Sequence, residues 1–292
     1  MQPFDQQKDV RKVHICPQHP FSLQIQGTRS AGKTTAILRM LTHNKLLGGM
    51  FHYVYFISPT SHLDEKIRRV LGTHTKTVIA HNTALEKAIR HELAEQEKES
   101  PASSLSMEKI LTDPEKTAGA SDNSKTFKLP TIDMKEPQWY LPEVSANWIS
   151  KLMSQQDSIT AKYGKPLTPR VLLVFDDVLG AELIRSTAFK RLVAEGRHHY
   201  ISTVFSLQNF RSLPKELRVC SNSVMLFPTS NRKEMGVYHE ENSLGLDLTE
   251  WSAVFDFCTG DDYNFMTILY DNPRRFRVLR CFNDFIDLNQ FR

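Results

Sequence analysis

Short apolar runs alternate with amphipathic segments along the first third of the chain. Phe21–Gln26 alternates apolar with polar side chains, as a half-buried strand does, and Lys33 to about Lys45 follows a helical period that ends at Gly48-Gly49. Strand and helix patterns then repeat in the same order. This alternation is typical of a parallel sheet covered by helices, so it predicts an α/β fold. The predicted elements here are strands at 21–26, 52–57 and 77–80 and helices at 33–45, 63–71 and 83–98.

The periodicity is lost between residues 99 and 138 and then returns. This stretch is rich in Ser, Thr, Lys, Glu and Pro, so we interpret it as a flexible insertion in a single domain spanning residues 1–292. Arg170–Asp176 is apolar between its two charged ends, as expected for a central parallel strand buried on both faces. The other predicted elements are helices at 144–163, 181–195 and 248–257, a short helix after Pro214, strands at 201–207 and 223–227, and a closing hairpin of strands at 265–270 and 276–281.

Composition narrows the class of protein without identifying a partner. The 292 residues carry a formal net charge of +4, a mild excess that permits nucleic-acid binding but does not argue for it. No apolar run approaches the roughly 20 residues needed to cross a bilayer, and the first residues lack the apolar core of a secretory signal. We therefore expect a protein with no signal peptide, no transmembrane segment and no membrane partner.

Residues 27–34 match the phosphate-binding loop pattern G-x-x-x-x-G-K-[ST] at every specified position. The glycines allow a tight loop whose backbone N–H groups surround phosphate oxygens, and the following helix presents the positive end of its dipole to them. Lys33 is expected to reach the β- and γ-phosphates, and the Thr34 hydroxyl to bind Mg²⁺. The residues predicted to bind nucleotide are Gly27, Thr28, Arg29, Ser30, Ala31, Gly32, Lys33, Thr34 and Thr35.

Two adjacent carboxylates end the apolar strand at 170–176. A buried strand of this kind delivers Asp176 beside the phosphate-binding loop, where it can hold Mg²⁺ directly or through water. Asp177 is then positioned to orient or deprotonate the attacking water. In an alternative interpretation Asp177 also binds Mg²⁺ and another residue polarises the water. Capping of the next turn is the structural alternative for either carboxylate.

A polar residue, Gln208, ends the next predicted strand, Ile201–Leu207. In ATP-driven P-loop motors the corresponding strand commonly supplies an amide or hydroxyl that contacts the γ-phosphate and aligns the water. Considered alone, Gln208 would be an ordinary glutamine at a strand end. The phosphate-binding loop and the carboxylate pair together favour the catalytic interpretation for it.

The order of these motifs resembles the genome-packaging ATPases of large and related double-stranded DNA viruses, in the FtsK–HerA superfamily of P-loop NTPases. The phosphate-binding loop is followed by Tyr55-Phe-Ile-Ser-Pro-Thr60, by Leu173-Val-Phe-Asp-Asp177 and by the stretch from Gly196 to Arg218, which is the clearest part of the similarity. The resemblance covers most of residues 15–285 but not the insertion. It implies a RecA/ASCE-like, mostly parallel sheet flanked by helices, with a C-terminal β-hairpin.

The resemblance also implies a function and its partners. It implies ATP hydrolysis with Mg²⁺, coupled to translocation of double-stranded DNA into a capsid, by a homo-oligomeric ring of about five or six subunits. In such rings a neighbouring subunit completes each ATP site with an arginine finger, for which Arg197 matches the position best and Arg218 is second. Capsid or portal proteins are further expected partners. The expected location is the host cytoplasm or a viral factory, with association to the virion.

Two other classes of function remain open at this stage. A nucleotide kinase would need an acceptor pocket and an arginine-rich lid, but the insertion at 99–138 contains no arginine. A nucleotide-binding assembly scaffold with little turnover would have no need of a carboxylate that orients water, so the pair Asp176-Asp177 argues against it.

Overall fold

The structure, a computed structural model, describes residues 13–58, 67, 69, 140–165, 168–177 and 180–292. The strand predicted at 77–80, the helix predicted at 83–98 and the insertion at 99–138 lie outside the described residues. Of the helix predicted at 63–71, only residues 67 and 69 are described, and both are helical.

The described strands form one mixed sheet. Its spatial order is β3-β2-β4-β5-β1-β6-β7-β8-β9, in which the pairs from β3 to β6 are parallel and the pairs from β6 to β9 are antiparallel. The predicted α/β class, with its closing hairpin, is confirmed. The strands are β1 Ser22–Gln26, β2 Tyr53–Ile57, β3 Tyr140–Leu141, β4 Val171–Asp176, β5 Ile201–Leu207, β6 Ser223–Leu226, β7 Met266–Leu269, β8 Val278–Arg280 and β9 Asp284–Phe285.

Helices cover both faces of the sheet. Alternate residues of a strand point to opposite faces, so in β4 Leu172 and Val174 join a core beneath the first helix, whereas Leu173 and Phe175 join the core on the other face. This burial on both sides explains why β4 is continuously apolar. The α-helices are α1 Lys33–Thr42, α2 Ala146–Tyr163, α3 Ala181–Arg185, α4 Thr187–Glu195, α5 Lys215–Arg218, α6 Arg232–Glu241 and α7 Leu248–Thr259.

A third core stabilises the C-terminal part of the chain. Trp251 of α7 is fully buried there and stacks on Phe255, with ring centroids 5.2 Å apart. Its indole N–H donates to the carbonyl oxygen of Asn242 at 2.8 Å, which satisfies its only polar atom. Asp247 and Glu250 form a reciprocal capping box that fixes the start of α7. This core supports the antiparallel strands next to β6.

The sequence predictions differ from the fold in a few elements. The single helix predicted at 181–195 is wrong, because the chain breaks at Ser186, whose hydroxyl accepts from the backbone N–H of Phe189 and starts a second helix. The strands β3 and β9 and helix α6 were not predicted. Within the described ranges, no helix has the length and apolar character needed to span a membrane.

Candidate nucleotide-binding site

Two positions of the loop between β1 and α1 favour glycine, for different reasons. A Cβ atom on Gly27 would lie 2.6 Å from the Cβ atom of Phe227, so no larger residue fits there. Gly32 precedes α1 with a φ of 100°, in the left-handed region that glycine adopts readily. The N–H of Gly27 donates to the carbonyl oxygen of Leu207 at 3.2 Å, which fastens the loop to the end of β5. The loop therefore has the open, turned backbone that a phosphate needs.

Lys33 is held inside this loop. Its Nζ atom donates to the carbonyl oxygens of Gly27 at 2.9 Å and Thr28 at 3.0 Å, and the residue is 6% exposed. Burial lowers the pKa of Lys33, and the nearby carboxylates of Asp177 and Asp176 oppose that shift. The ammonium group therefore lies where the phosphates would bind, near the carboxylates of Asp177 and Asp176.

Asp176 ends β4 opposite the first turn of α1. Its Oδ2 atom accepts from the Thr34 hydroxyl at 3.1 Å, whereas its buried Oδ1 atom has no hydrogen-bond partner among the described residues. Burial has the largest effect and raises the pKa of Asp176. The nearby Ser206 hydroxyl opposes this shift, although its oxygen forms no well-aligned hydrogen bond among the described residues.

This carboxylate and hydroxyl fit a magnesium ion. A buried, unsatisfied carboxylate oxygen is costly, and a hard divalent cation that prefers oxygen ligands would satisfy it. Thr34 and Asp176 would hold Mg²⁺ at this place together with phosphate oxygens. The sequence predicted both residues as ligands, and the fold brings them to hydrogen-bond distance from positions 142 residues apart.

Asp177 projects from the end of β4 into solvent. Its φ of 56° places it in the left-handed region, and its N–H donates to the carbonyl oxygen of Ser206 at 3.1 Å. The Gln208 amide donates to its Oδ2 atom at 2.5 Å, so the two predicted catalytic groups contact each other. Their pairing across β4 and β5 leaves an accessible carboxylate oriented by an amide, an arrangement that can hold and deprotonate a water molecule.

A cavity of about 1170 Å³ connects these groups. It includes Arg29 to Thr35 of the predicted nucleotide-binding residues as well as Asp176, Asp177 and Gln208, while Gly27 and Thr28 contribute the carbonyl oxygens beneath it. Tyr263 lines the same cavity and was not among the residues predicted from the sequence. In the sequence it is only an aromatic residue in the polar run Asp261-Asp-Tyr-Asn264, just before a predicted strand, and that pattern does not show that it faces the loop.

The two arginine-finger candidates lie in different surroundings. Arg197 is exposed on the turn before β5, at the end of the sheet opposite the loop of its own chain. The seven residues of β5 separate it from that loop by roughly 20 Å. The Arg218 guanidinium is buried and pairs with both carboxylate oxygens of Glu241 and with the Leu213 carbonyl oxygen. Arg218 therefore has a structural role in this conformation.

Comparison with known proteins gives one family match. The model of the Poxvirus A32 protein family matches residues 146–241. This range contains Asp176, Asp177, Arg197 and Gln208 but not the phosphate-binding loop. A search of curated proteins finds no match.

Several solved structures are similar to the chain. The genome packaging NTPase B204 from Sulfolobus turreted icosahedral virus 2 in complex with sulfate is 12% identical, with 86% of this chain and 92% of that chain covered and a TM-score of 0.45. Its complex with AMPPCP is 14% identical, with 86% of this chain and 93% of that chain covered and a TM-score of 0.43. B204, the DNA-packaging ATPase from Sulfolobus turreted icosahedral virus, is 12% identical, with 87% of this chain and 95% of that chain covered and a TM-score of 0.43.

Proposed function

We propose that this chain is an ATP-hydrolysing motor that translocates double-stranded viral DNA into capsids. The observation that carries the proposal is the convergence of Thr34, Asp176 and the Asp177–Gln208 pair around one phosphate-binding loop. A site that only binds nucleotide needs the loop and the metal ligand. It does not need an exposed carboxylate held by an amide, and hydrolysis does.

In the proposed reaction the backbone of residues 27–34 surrounds the ATP phosphates. Lys33 exchanges its two carbonyl acceptors for β- and γ-phosphate oxygens, which are stronger acceptors because they are charged. Mg²⁺, when held by Thr34 and Asp176, neutralises charge on those oxygens. These contacts position the γ-phosphate next to Asp177 and Gln208.

Hydrolysis then requires a water molecule in line with the bond that breaks. Gln208 orients the water and Asp177 accepts a proton from it, while the water oxygen bonds to the γ-phosphorus. The bond from the γ-phosphorus to the bridging oxygen breaks, and ADP leaves with the electron pair. Because Asp177 is exposed, it can pass the proton on to solvent.

The assignment to viral DNA packaging has two supports beyond the site. The order of motifs resembles that of packaging ATPases, and residues 146–241 match a poxviral protein family. Within this proposal the protein acts as a homo-oligomeric ring of about five or six subunits, with Arg197 of one subunit completing the site of the next. Its partners are duplex DNA and capsid or portal proteins, in the host cytoplasm, at viral factories or with the virion.

The proposal is tested by ATPase assays across a titration of linear duplex DNA, with the molecular mass measured in parallel. We expect DNA to stimulate hydrolysis, and Lys33→Ala and Asp176→Ala each to reduce it by at least about 100-fold. Lys190→Ala, at an exposed position of α4, is the matched lysine control and should hydrolyse ATP normally. An oligomer that hydrolyses ATP equally with and without DNA, and never binds duplex, would contradict the motor.

A further inference from the structure

The cavity continues past the phosphate-binding loop on the side away from the catalytic carboxylates. Asp176 and Asp177 lie at the end of β4, whereas the antiparallel strands β6 and β7 lie on the other side of β1. Tyr263 belongs to the loop that leads into β7. Its ring is so close to the loop that a Cβ atom on Gly32 would lie 3.3 Å from its Cδ1 atom. Yet Tyr263 is 71% exposed, so the ring borders the cavity without being packed into the core.

The backbone around this cavity is unusually strained. Six residues other than glycine have a positive φ in the described part of the chain, and four of them line the cavity: Ser30, Asp177, Tyr263 and Cys281. For a bulky residue such as Tyr263, at φ 63°, this conformation is uncommon and persists only when the surroundings impose it. Asparagine or glycine would adopt it at lower cost, so the conformation does not explain the presence of tyrosine.

Neighbouring contacts hold the Tyr263 loop in place. Asp261 pairs with the Arg280 guanidinium and accepts from the side-chain amide of Asn264. The Cys281 thiol donates to Asn264 Oδ1 at 3.3 Å, and the Cys281 N–H donates to the carbonyl oxygen of Phe265 at 2.8 Å. The loop is thus tied to β8, and the ring is presented beside the phosphate site in advance of any ligand.

We propose that the Tyr263 ring is the platform on which the base of the bound nucleotide stacks. The inference rests on the proposed function, since it needs a nucleotide in the phosphate-binding loop. A nucleotide whose terminal phosphate faces Asp177 extends in the opposite direction at its other end, which is the direction of Tyr263. Stacking removes apolar area of both the ring and the base from water, and it needs only the flat face of the base. The subsite therefore binds ATP and GTP through the same contact.

The test compares nucleotide with a ligand that has the same phosphates but no base. Binding of Mg-ATP and of magnesium tripolyphosphate is measured by calorimetry without DNA, for the full chain and its variants. Tyr263→Asn removes the ring and keeps a residue that accepts positive φ. The variant should therefore bind ATP about 10-fold more weakly and bind tripolyphosphate as wild type does. Its affinity for GTP should fall by the same factor as its affinity for ATP. Tyr263→Phe keeps the ring and should recover most of the lost affinity, which separates stacking from a contact of the hydroxyl.

Each outcome supports or contradicts the base platform. An equal loss for ATP and tripolyphosphate would mean that the ring supports the loop and does not contact the base, and no loss for either would place the base elsewhere. Val219→Ala, at a position that is 68% exposed and outside the cavity, controls for loss of a surface side chain and should match wild type. If wild type bound neither ligand, the proposed function would fail first. If Tyr263→Asn behaved like wild type while DNA still stimulated hydrolysis, only the base platform would fail.

Discussion

At the scale of single residues, Asp176 combines a requirement of the site with a cost to the fold. The carboxylate must be ionised to bind a cation, yet burial raises its pKa, and its Oδ1 atom has no partner in the described part of the structure. An acid whose pKa is raised by folding stabilises the folded state only where it is protonated. That stability is lost as the pH rises through the raised pKa, so above that pKa the ionised Asp176 destabilises the nucleotide-free protein.

Replacing this carboxylate by an amide should therefore separate stability from activity. We expect Asp176→Asn to melt at the same or a higher temperature than wild type without ligand at pH 7, because the amide has no charge to desolvate. The same variant should lose Mg²⁺-dependent hydrolysis and much of the stabilisation that Mg-ATP gives to wild type, since the remaining phosphate contacts still bind the nucleotide weakly. Thermal melts with and without Mg-ATP measure both effects, and a markedly lower melting temperature for the free variant would contradict the argument.

The pH dependence of binding provides the matching control. In wild type the affinity for Mg-ATP should fall as the pH is lowered through the raised pKa of Asp176, since protonation removes the metal ligand. In Asp176→Asn this component of the pH profile should be missing. Titration of each protein with Mg-ATP at a series of pH values separates the effect of Asp176 from protonation of ATP itself, which both proteins share.

The residues of the site differ in how far sequence could identify them. Lys33, Thr34 and Asp176 belong to local motifs whose spacing follows from phosphate and metal chemistry, so the sequence predicted their proximity. Tyr263 and Ser206 could not be found in this way. Their place depends on which strands are neighbours and on which residue faces the loop, and no local pattern encodes either property.

At the scale of secondary structure elements, a buried ion pair joins α5 to α6. The side chains of Arg218 and Glu241 are 8% and 10% exposed, and the Arg218 Nε atom donates to a carboxylate oxygen at 2.9 Å. The resemblance to packaging ATPases placed Arg218 second among the finger candidates. Its partner Glu241 could not be foreseen, since it lies in a helix that was not predicted. Helix α6 is hard to detect in the sequence because it is mostly polar, with Tyr238 as its buried residue.

This pair predicts different consequences for the two arginine candidates. Arg218→Met leaves Glu241 buried without its partner and should lower the free energy of unfolding by about 3–5 kcal/mol, and adding Glu241→Met should restore much of the loss. Arg197→Ala, at an exposed position, should change the free energy of unfolding by less than about 0.5 kcal/mol and should reduce ATP hydrolysis. Denaturant unfolding and ATPase assays measure the two effects. If Arg218→Met were as stable as wild type but inactive, the finger would be reassigned to Arg218.

At the scale of the whole molecule, the order of strands determines which groups of the proposed ATP site a single chain can supply. The sequence predicted most strands because each has a clear apolar pattern, but it could not give the spatial order, which results from long-range pairing. That order sets β5 between β1 and β4, so Gln208 reaches Asp177. Arg197 lies in the turn before the other end of that strand, away from its own phosphate-binding loop. Within one chain the site therefore has no contribution from Arg197.

If Arg197 acts on the next subunit, two inactive variants should restore each other's activity in one ring. Arg197→Ala keeps an intact loop, and Lys33→Ala keeps an intact finger, so co-expressed chains form complete sites wherever the first variant's loop meets the second variant's arginine. Random assembly of equal amounts makes about a quarter of all sites complete, and DNA-stimulated hydrolysis should recover to at most about that fraction. The control pairs Arg197→Ala with the double variant Lys33→Ala/Arg197→Ala, in which no chain supplies the arginine and no activity should return. Recovery in neither mixture, from rings of normal mass, would show that Arg197 does not complete a neighbouring site.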